Sequence, residues 1–361
     1  MERVFVTHIL PQKYIAQYKL SFAACNFSFN LMSGKVFNRV ISTLPVFVTG
    51  KIDDIKNKNF DFVYSSLRMR RGFISKLATI VEQISVYRLI RSESNVWFYN
   101  LGYLNFLLFI LLKIFKPSVR LYVIELDFVP PKNRWCIENL FLFLQNRADG
   151  MIKLATSPLF TCKNSECLAG VTPLKKPMAP EITRIEKSFL ISGALYESIS
   201  SLPLLLETFK KLPDCTLHIT GAGFDEATIQ KYCNKYSNII YHGLLSYEKY
   251  LELLHSIVFL LSTRQPDYPD NECNFPSKMI ESLLHNRIVI STIDYVQIQD
   301  LKYIKVSNIP HKFENDIKKI CEMSETELLN YANQSNTVFN KFNPIQWNEI
   351  MHKIENKSHK L

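Results

Sequence analysis

The stretch "NFPSKMIESL", residues 274–283, lies between two apolar runs that read as strands, residues 257–261 and 287–292. Pro276 suits a first helical turn, because the N–H it lacks would be unpaired there in any case. The local order is therefore strand, polar loop (263–274), helix, strand. On that helix Lys278 and Glu281 stand three residues apart and share a face. The free amides around Ser277 at the helix start, aided by the macrodipole, make an anion site, and Lys278 adds a cation there. A carboxylate is useless as a phosphate ligand, but it accepts hydrogen bonds from two neighbouring hydroxyls, as in a ribose diol. Phosphate beside ribose means a nucleotide; a plain surface Lys–Glu pair is the alternative reading.

Outward from this stretch the second half of the chain alternates regularly. Strands are expected at 189–192, 216–220, 239–242, 257–261 and 288–291, with helices at 200–212, 225–236 and 246–255 between them. Such alternation implies a parallel sheet covered by helices on both faces, an α/β fold. Gly193, Gly221, Gly223 and Gly243 fall at strand ends, where open α/β sheets bind ligands. Ser324 and Glu327 have capping-box spacing, and a last helical stretch covers about 344–357. The first half is similar in kind, with strands expected at 4–9, 45–49, 61–64, 96–99, 120–124 and 150–154. Residues 172–187, rich in proline and charge, read as a linker. The expected division is 1–176, 188–335 and a C-terminal segment 336–361.

The 361 residues include 47% hydrophobic side chains, enough for two sizeable cores and too many for a disordered chain. Residues 1–176 carry 24 Lys and Arg against 11 Asp and Glu, a net of +13, whereas the remainder carries 19 against 22, a net of −3. A basic first half suits an anionic surface or substrate. Within it "SSLRMRRGFISK", residues 65–76, sets Arg68, Arg70, Arg71 and Lys76 among apolar side chains, the pattern of a segment that lies on an anionic membrane; a solvated helix face is the plain alternative. No nucleic-acid-binding signature is present. The eight cysteines lack zinc-ribbon spacing and read as small buried thiols in a reducing compartment. Residues 101–115 form the most apolar run; it falls short of the roughly 20 residues that span a bilayer and reads as a buried helix, with an interfacial helix as the alternative. The N-terminus has no secretory-signal pattern. Glu125 and Asp127 leave the C-terminal end of an expected strand, where either can assist an acceptor hydroxyl or contact a sugar; capping the next helix or pairing with Arg134 is the competing reading. His8 reads as a satisfied, half-buried histidine.

Four segments taken in order, "FLISGALYESISSLPLLLETFKKL", "TLHITGAG", "NIIYHGLLSYEKYLELLHSIVFLLST" and "NFPSKMIESLLHNRIVIST", resemble the C-terminal domain of GT-B glycosyltransferases, most nearly the retaining glycosyltransferase family 4. The resemblance covers residues 188–293. It implies two Rossmann-like domains facing across a cleft, the second holding a nucleotide sugar and the first an acceptor, with a C-terminal helix that returns to the first domain. By the same resemblance Glu281 binds the ribose, Ser277 and Lys278 meet the diphosphate, and Gly193 faces the phosphates. His242, Gly243 and Leu244 lie near the base, and Asn274, Phe275 and Pro276 belong to the donor site. The family's first motif glutamate corresponds to Cys273, with Glu272 one residue away. Its usual Arg and Lys after the first strand correspond to Ala194 and Ile199, and its first-strand glycine loop is absent from "THILPQKYIAQ". The activity implied is transfer of one sugar, with retention and without a metal or other cofactor, from a UDP- or GDP-sugar to a growing lipid-linked bacterial surface polysaccharide of the O-antigen or capsule type. The expected location is the cytoplasm, on the inner face of the membrane. A sugar-nucleotide epimerase and a non-catalytic GT-B-like binding subunit are the alternatives.

Overall fold

The computed structural model describes residues 1–10, 14, 22–44, 61–69 and 73–358. The chain forms two compact units. One comprises Met1–Leu174, Glu272–Phe275 and Phe342–Leu361, the other Lys175–Asn271 and Pro276–Lys341.

Among the described residues the first unit holds a parallel sheet of seven strands: β1 (Arg3–Thr7), β2 (Arg39–Ser42), β3 (Asp61–Phe62), β4 (Asn95–Tyr99), β5 (Arg120–Glu125), β6 (Gly150–Lys153) and β7 (Ser165–Cys167), in the order β3-β2-β1-β4-β5-β6-β7. Both faces of the central strands are covered, so they read as unbroken apolar runs; every residue of β1 and β4 is buried. Trp97 on β4 stacks on Tyr122 of β5 with ring centroids 4.6 Å apart. Two strands depart from the expectations. β2 lies upstream of the expected strand 45–49, which falls outside the described residues, and β7 is a short edge strand with no apolar run to announce it. The apolar run 101–115 becomes the helix Phe106–Phe115, with Leu108, Phe109 and Leu112 buried.

The C-terminal helix Pro344–Ser358 belongs to this first unit. Its apolar anchors Trp347, Met351 and Ile354 are fully buried. Trp347 Nε1 donates to the Gly170 carbonyl at 2.9 Å. Glu355 accepts from Arg3 through both oxygens, at 2.8 and 2.6 Å, and from Trp97 Nε1 at 2.8 Å. Gly150 allows the approach: a Cβ there would sit 2.2 Å from Ile354 Cγ2.

The second unit holds a parallel sheet of six described strands: β8 (Ser188–Ala194), β9 (Thr216–Ala222), β10 (Ile239–Tyr241), β11 (Phe259–Ser262), β12 (Ile288–Ser291) and β13 (Ile304–Lys305), ordered β10-β9-β8-β11-β12-β13. The helices between them carry their own start signals. Asp225 accepts from the Thr228 amide, Ser246 from Lys249, and Ser324 and Glu327 form a reciprocal capping box. Phe189 stacks on Phe259 across β8 and β11, with centroids 4.8 Å apart. The strand order reverses between β8 and β11, so the C-terminal ends of those two strands border the switch-point crevice where this class of sheet takes its ligands.

Candidate functional site

The helix Ser277–Leu284 follows β11 and starts at Pro276, with no side chain capping its first amides. Its face is set by apolar positions: Met279, Ile280, Leu283 and Leu284 are buried, which leaves Lys278 and Glu281 half-buried on the remaining side. Lys278 Nζ donates to Glu281 Oε2 at 2.9 Å. Tyr250 Oη donates to the same oxygen at 3.1 Å, and Tyr247 Oη to Oε1 at 3.2 Å. The Lys278 ammonium also lies 3.9 Å from the centre of the Tyr250 ring. Burial pushes the Glu281 carboxyl up, but the charge of Lys278 and the bonds from Lys278 and Tyr250 outweigh it and hold Glu281 below the ordinary range. Burial lowers Lys278 in turn, and Tyr250 and Glu281 more than reverse it. Burial, then the Glu281 charge, push Tyr250 up to about 12, so it stays a donor at neutral pH.

Gly193 closes the other side of this group. Its φ is +102°, and a Cβ there would lie 3.9 Å from Lys278 Cε. Gly193 is in register with Gly221, where an added Cβ would fall 1.9 Å from the Gly193 carbonyl oxygen. Only glycine fits at Gly221, and no side chain at Gly193 separates the strand end from Lys278. Gly221 N donates to the Gly243 carbonyl at 3.0 Å, which carries the row on to the end of β10. There His242 Nε2 lies 3.0 Å from His218 Nδ1, with the rings nearly parallel. Burial, then His242, depress His218 to about 4, so the pair is neutral at physiological pH. Leu244 is 80% exposed beside it.

In the first unit Glu125 ends β5 at 1% exposure, with no hydrogen-bond partner for Oε2 among the described residues. Burial, with the nearby Asp127 charge assisting, pushes it up to about 8. Asp127 itself is exposed. The segment Glu272–Phe275 groups with this unit: Asn274 Oδ1 accepts from the Phe128 amide at 2.9 Å, Cys273 is buried with Sγ 3.6 Å from Ser157 Oγ, and Glu272 is exposed at the end of a 3₁₀ turn. Arg70 and Arg71 lie outside the described residues, as do the side chains of Arg68 and Lys76. Among the described residues no cluster of three or more His, Cys, Asp or Glu side chains is placed to hold a metal ion.

No protein-family model and no curated protein matches the chain by sequence. Solved structures do match it along its whole length. The N-terminal domain of trehalose-6-phosphate phosphatase from Candida albicans superposes with a TM-score of 0.69 at 12% identity, covering 100% of this chain and 97% of that one. An E. coli structure described as trehalose-6-phosphate bound with UDP-2-fluoro glucose gives 0.67 at 11%, covering 97% and 98%. AviGT4, a glycosyltransferase involved in avilamycin A biosynthesis, gives 0.61 at 9%, covering 99% and 98%. The fold is GT-B.

Within this GT-B fold the expected site residues separate into groups. Gly193, Lys278 and Glu281 converge in the second unit, where Ser277 starts the same helix and His242, Gly243 and Leu244 follow β10. Glu125, Asp127, Glu272, Asn274 and Phe275 fall in the first unit. Sequence reasoning missed Tyr247 and Tyr250. Their signal was the spacing "YEKY", which puts both on one face of the helix Tyr247–Ser256, but nothing local says that this face meets Glu281. It also missed Arg264, a cation just past the end of β11 whose Nη1 lies 3.3 Å from Asn271 Oδ1.

Proposed function

We propose that the chain is a nucleotide-sugar-dependent glycosyltransferase. The observation that carries this is the Lys278–Glu281 pair at an uncapped helix N-terminus beside the glycine end of β8: a cation and free amides for a diphosphate, next to a carboxylate for a ribose. The GT-B fold supports it, as does the neighbour described as bound with UDP-2-fluoro glucose. Lys278 and the helix amides stabilise the diphosphate as the bond to the sugar breaks, and Asp127, exposed past the end of β5, faces the acceptor. We take the reaction to be retaining and metal-independent, the donor to be a UDP- or GDP-sugar, and the acceptor to be a lipid-linked bacterial surface polysaccharide of the O-antigen or capsule type.

The membrane side of this reading gains support from the helix Phe73–Leu89, which continues the basic segment. Leu77, Ile80, Val81 and Ile84 recur on one of its faces and are between 37% and 43% exposed. Ile114 and Phe115, more than 60% exposed, stand between Lys113 and Lys116. On the strength of this basic segment and these exposed apolar side chains we propose a peripheral position on the cytoplasmic face of the membrane; no helix among the described residues is long and apolar enough to cross one.

A second reading, a non-catalytic binding subunit, is favoured by one feature: Cys273 is buried where the family's first glutamate is expected. One experiment addresses both. Thermal shift against UDP, GDP, CDP and their sugars is followed by assay of nucleoside diphosphate release with a lipid-linked acceptor. The transferase reading expects stabilisation by at least one nucleotide and release that depends on acceptor. Stabilisation without release selects the binding subunit, release without acceptor an epimerase or hydrolase, and no stabilisation by any nucleotide removes the proposal.

A further inference from the structure

The described sulfurs include one pair that sequence spacing does not suggest. Cys215 Sγ lies 3.4 Å from Cys321 Sγ, although 106 residues separate them. Cys215 is buried and immediately precedes β9, and Cys321 is half-buried in the last turn of the helix Pro310–Glu322. The backbone on the Cys215 side is pinned. Its amide donates to the Leu212 carbonyl at 3.0 Å, and its carbonyl accepts from Asn238 Nδ2 at 2.9 Å. A disulfide requires sulfurs about 2.05 Å apart, so closure needs a sulfur movement of only about 1.4 Å, within reach of small side-chain rotations.

We propose that Cys215 and Cys321 are a reversible disulfide-forming site that a peroxide oxidises. The pair has the electrostatics of a reactive dithiol. Either sulfur can donate the S–H that joins them; this contact holds Cys215 below the ordinary thiol range, with burial opposing and the charge of Lys187 assisting, while the same contact, then burial, push Cys321 up. A thiol held below the ordinary range yields its thiolate more readily, which makes Cys215 the attacking sulfur and Cys321 the resolving one. The thiolate attacks one oxygen of hydrogen peroxide, a molecule little larger than water. The O–O bond breaks, the departing hydroxide takes a proton and leaves as water, and Cys215 becomes a sulfenic acid. Cys321 sulfur then attacks that sulfur, the S–O bond breaks, and the oxygen leaves as a second water carrying the Cys321 proton. The two thiols are oxidised by two electrons and the peroxide is reduced by two. Added dithiol reverses the bond by exchange.

Position predicts the consequence. Cys215 stands at the N-terminal end of β9, whereas Gly221 and the candidate site lie at its C-terminal end. The bond fastens the helix Pro310–Glu322 to the sheet without closing the site, and it rests on no assignment of that site. The test oxidises the full chain with graded hydrogen peroxide, quenches it, alkylates with N-ethylmaleimide and maps the peptides by mass. The expected result is a linked Cys215–Cys321 peptide pair, two fewer alkylated thiols of the eight, full recovery with dithiothreitol, and a raised melting midpoint. Cys321→Ser should lose the link and leave a dimedone-reactive sulfenic acid at Cys215. Both cysteines still alkylated in peroxide-treated wild type, or sulfinic and sulfonic products without a linked pair, would overturn the proposal. Because the wild-type map decides it, a variant that misfolds leaves no ambiguity.

Discussion

Glu281 is held by three hydrogen bonds before any ligand arrives, so its carboxylate is oriented rather than free to turn. A ribose diol can replace the tyrosine hydroxyls as donors while Lys278 stays in place. Glu281→Ala should therefore weaken nucleotide binding by about 1.5–3 kcal/mol, the worth of a hydrogen bond to a charged group. Calorimetric titration of the folded variant checks this, and an unchanged affinity ends the ribose role. Lys278→Ala should lower turnover more than affinity, because charge on the diphosphate grows as the sugar departs; equal losses in both would assign Lys278 to ground-state binding. Glu125 makes a separate, pH-dependent claim. Its folded pKa of about 8 stands above the ordinary 4.5, so the folded state binds the proton more tightly. The associated stability is complete below pH 4.5 and is lost as pH rises towards 8, at up to about 1.4 kcal/mol per pH unit. Urea melts across that window should show Glu125→Gln gaining on wild type as pH rises. Parallel curves would mean that Glu125 titrates normally.

Among the elements, the helix Pro344–Ser358 has the most specific seat. It is joined to β1 and β4 by a buried charge pair and by aromatic anchors that no local pattern requires to meet. Glu355→Ala strips the buried Arg3 of its carboxylate and leaves its guanidinium the neutral acceptors Val36 O and Asn348 Oδ1. Loss of one member of a buried pair costs about 3–5 kcal/mol, a large share of the roughly 5–15 kcal/mol that a domain has in total. Gly150→Ala tests the same seat from the sheet side, since its Cβ overlaps Ile354, and overpacking of this kind costs about 1–3 kcal/mol. Both should lower the urea midpoint of the first unit. If either leaves it unmoved, the helix contributes little to that unit's stability.

For the molecule as a whole, the asymmetry of charge is the property that no single residue carries. With +13 in residues 1–176 against −3 in the rest, an anionic bilayer attracts the first part of the chain, at about 1 kcal/mol for each basic residue near the surface. The exposed apolar face of Phe73–Leu89 adds an attraction that salt does not screen. Sedimentation with liposomes should show binding to anionic vesicles that weakens with salt, and a residual component that falls when Leu77, Ile80, Val81 and Ile84 are changed together to glutamine. Equal binding to anionic and neutral vesicles, or none to either, would mean that the basic half serves another purpose.

Much of this fold is written locally. Buried parallel strands are continuous apolar runs, and helices declare their starts through Asp225, Ser246 and Ser324 a few residues away, so the alternation of the second unit is readable from the chain alone. The pairing of Lys278 with Glu281 is equally local, three residues along one helix. Other features depend on crossovers that bring distant segments together. Tyr247 and Tyr250 reach Glu281 from more than 30 residues away, and Cys215 meets Cys321 across 106 residues. Short edge strands such as β7 and β13 bury too little to leave an apolar signature. Arg3 and Glu355 lie at opposite ends of the chain, and nothing near either marks the other as its partner. Periodicity and capping encode which element forms, because those energies are settled within a turn or two of chain. Which side chains converge is settled by how the elements pack, and for Glu281, Glu125 and the Cys215–Cys321 pair that packing sets the chemistry.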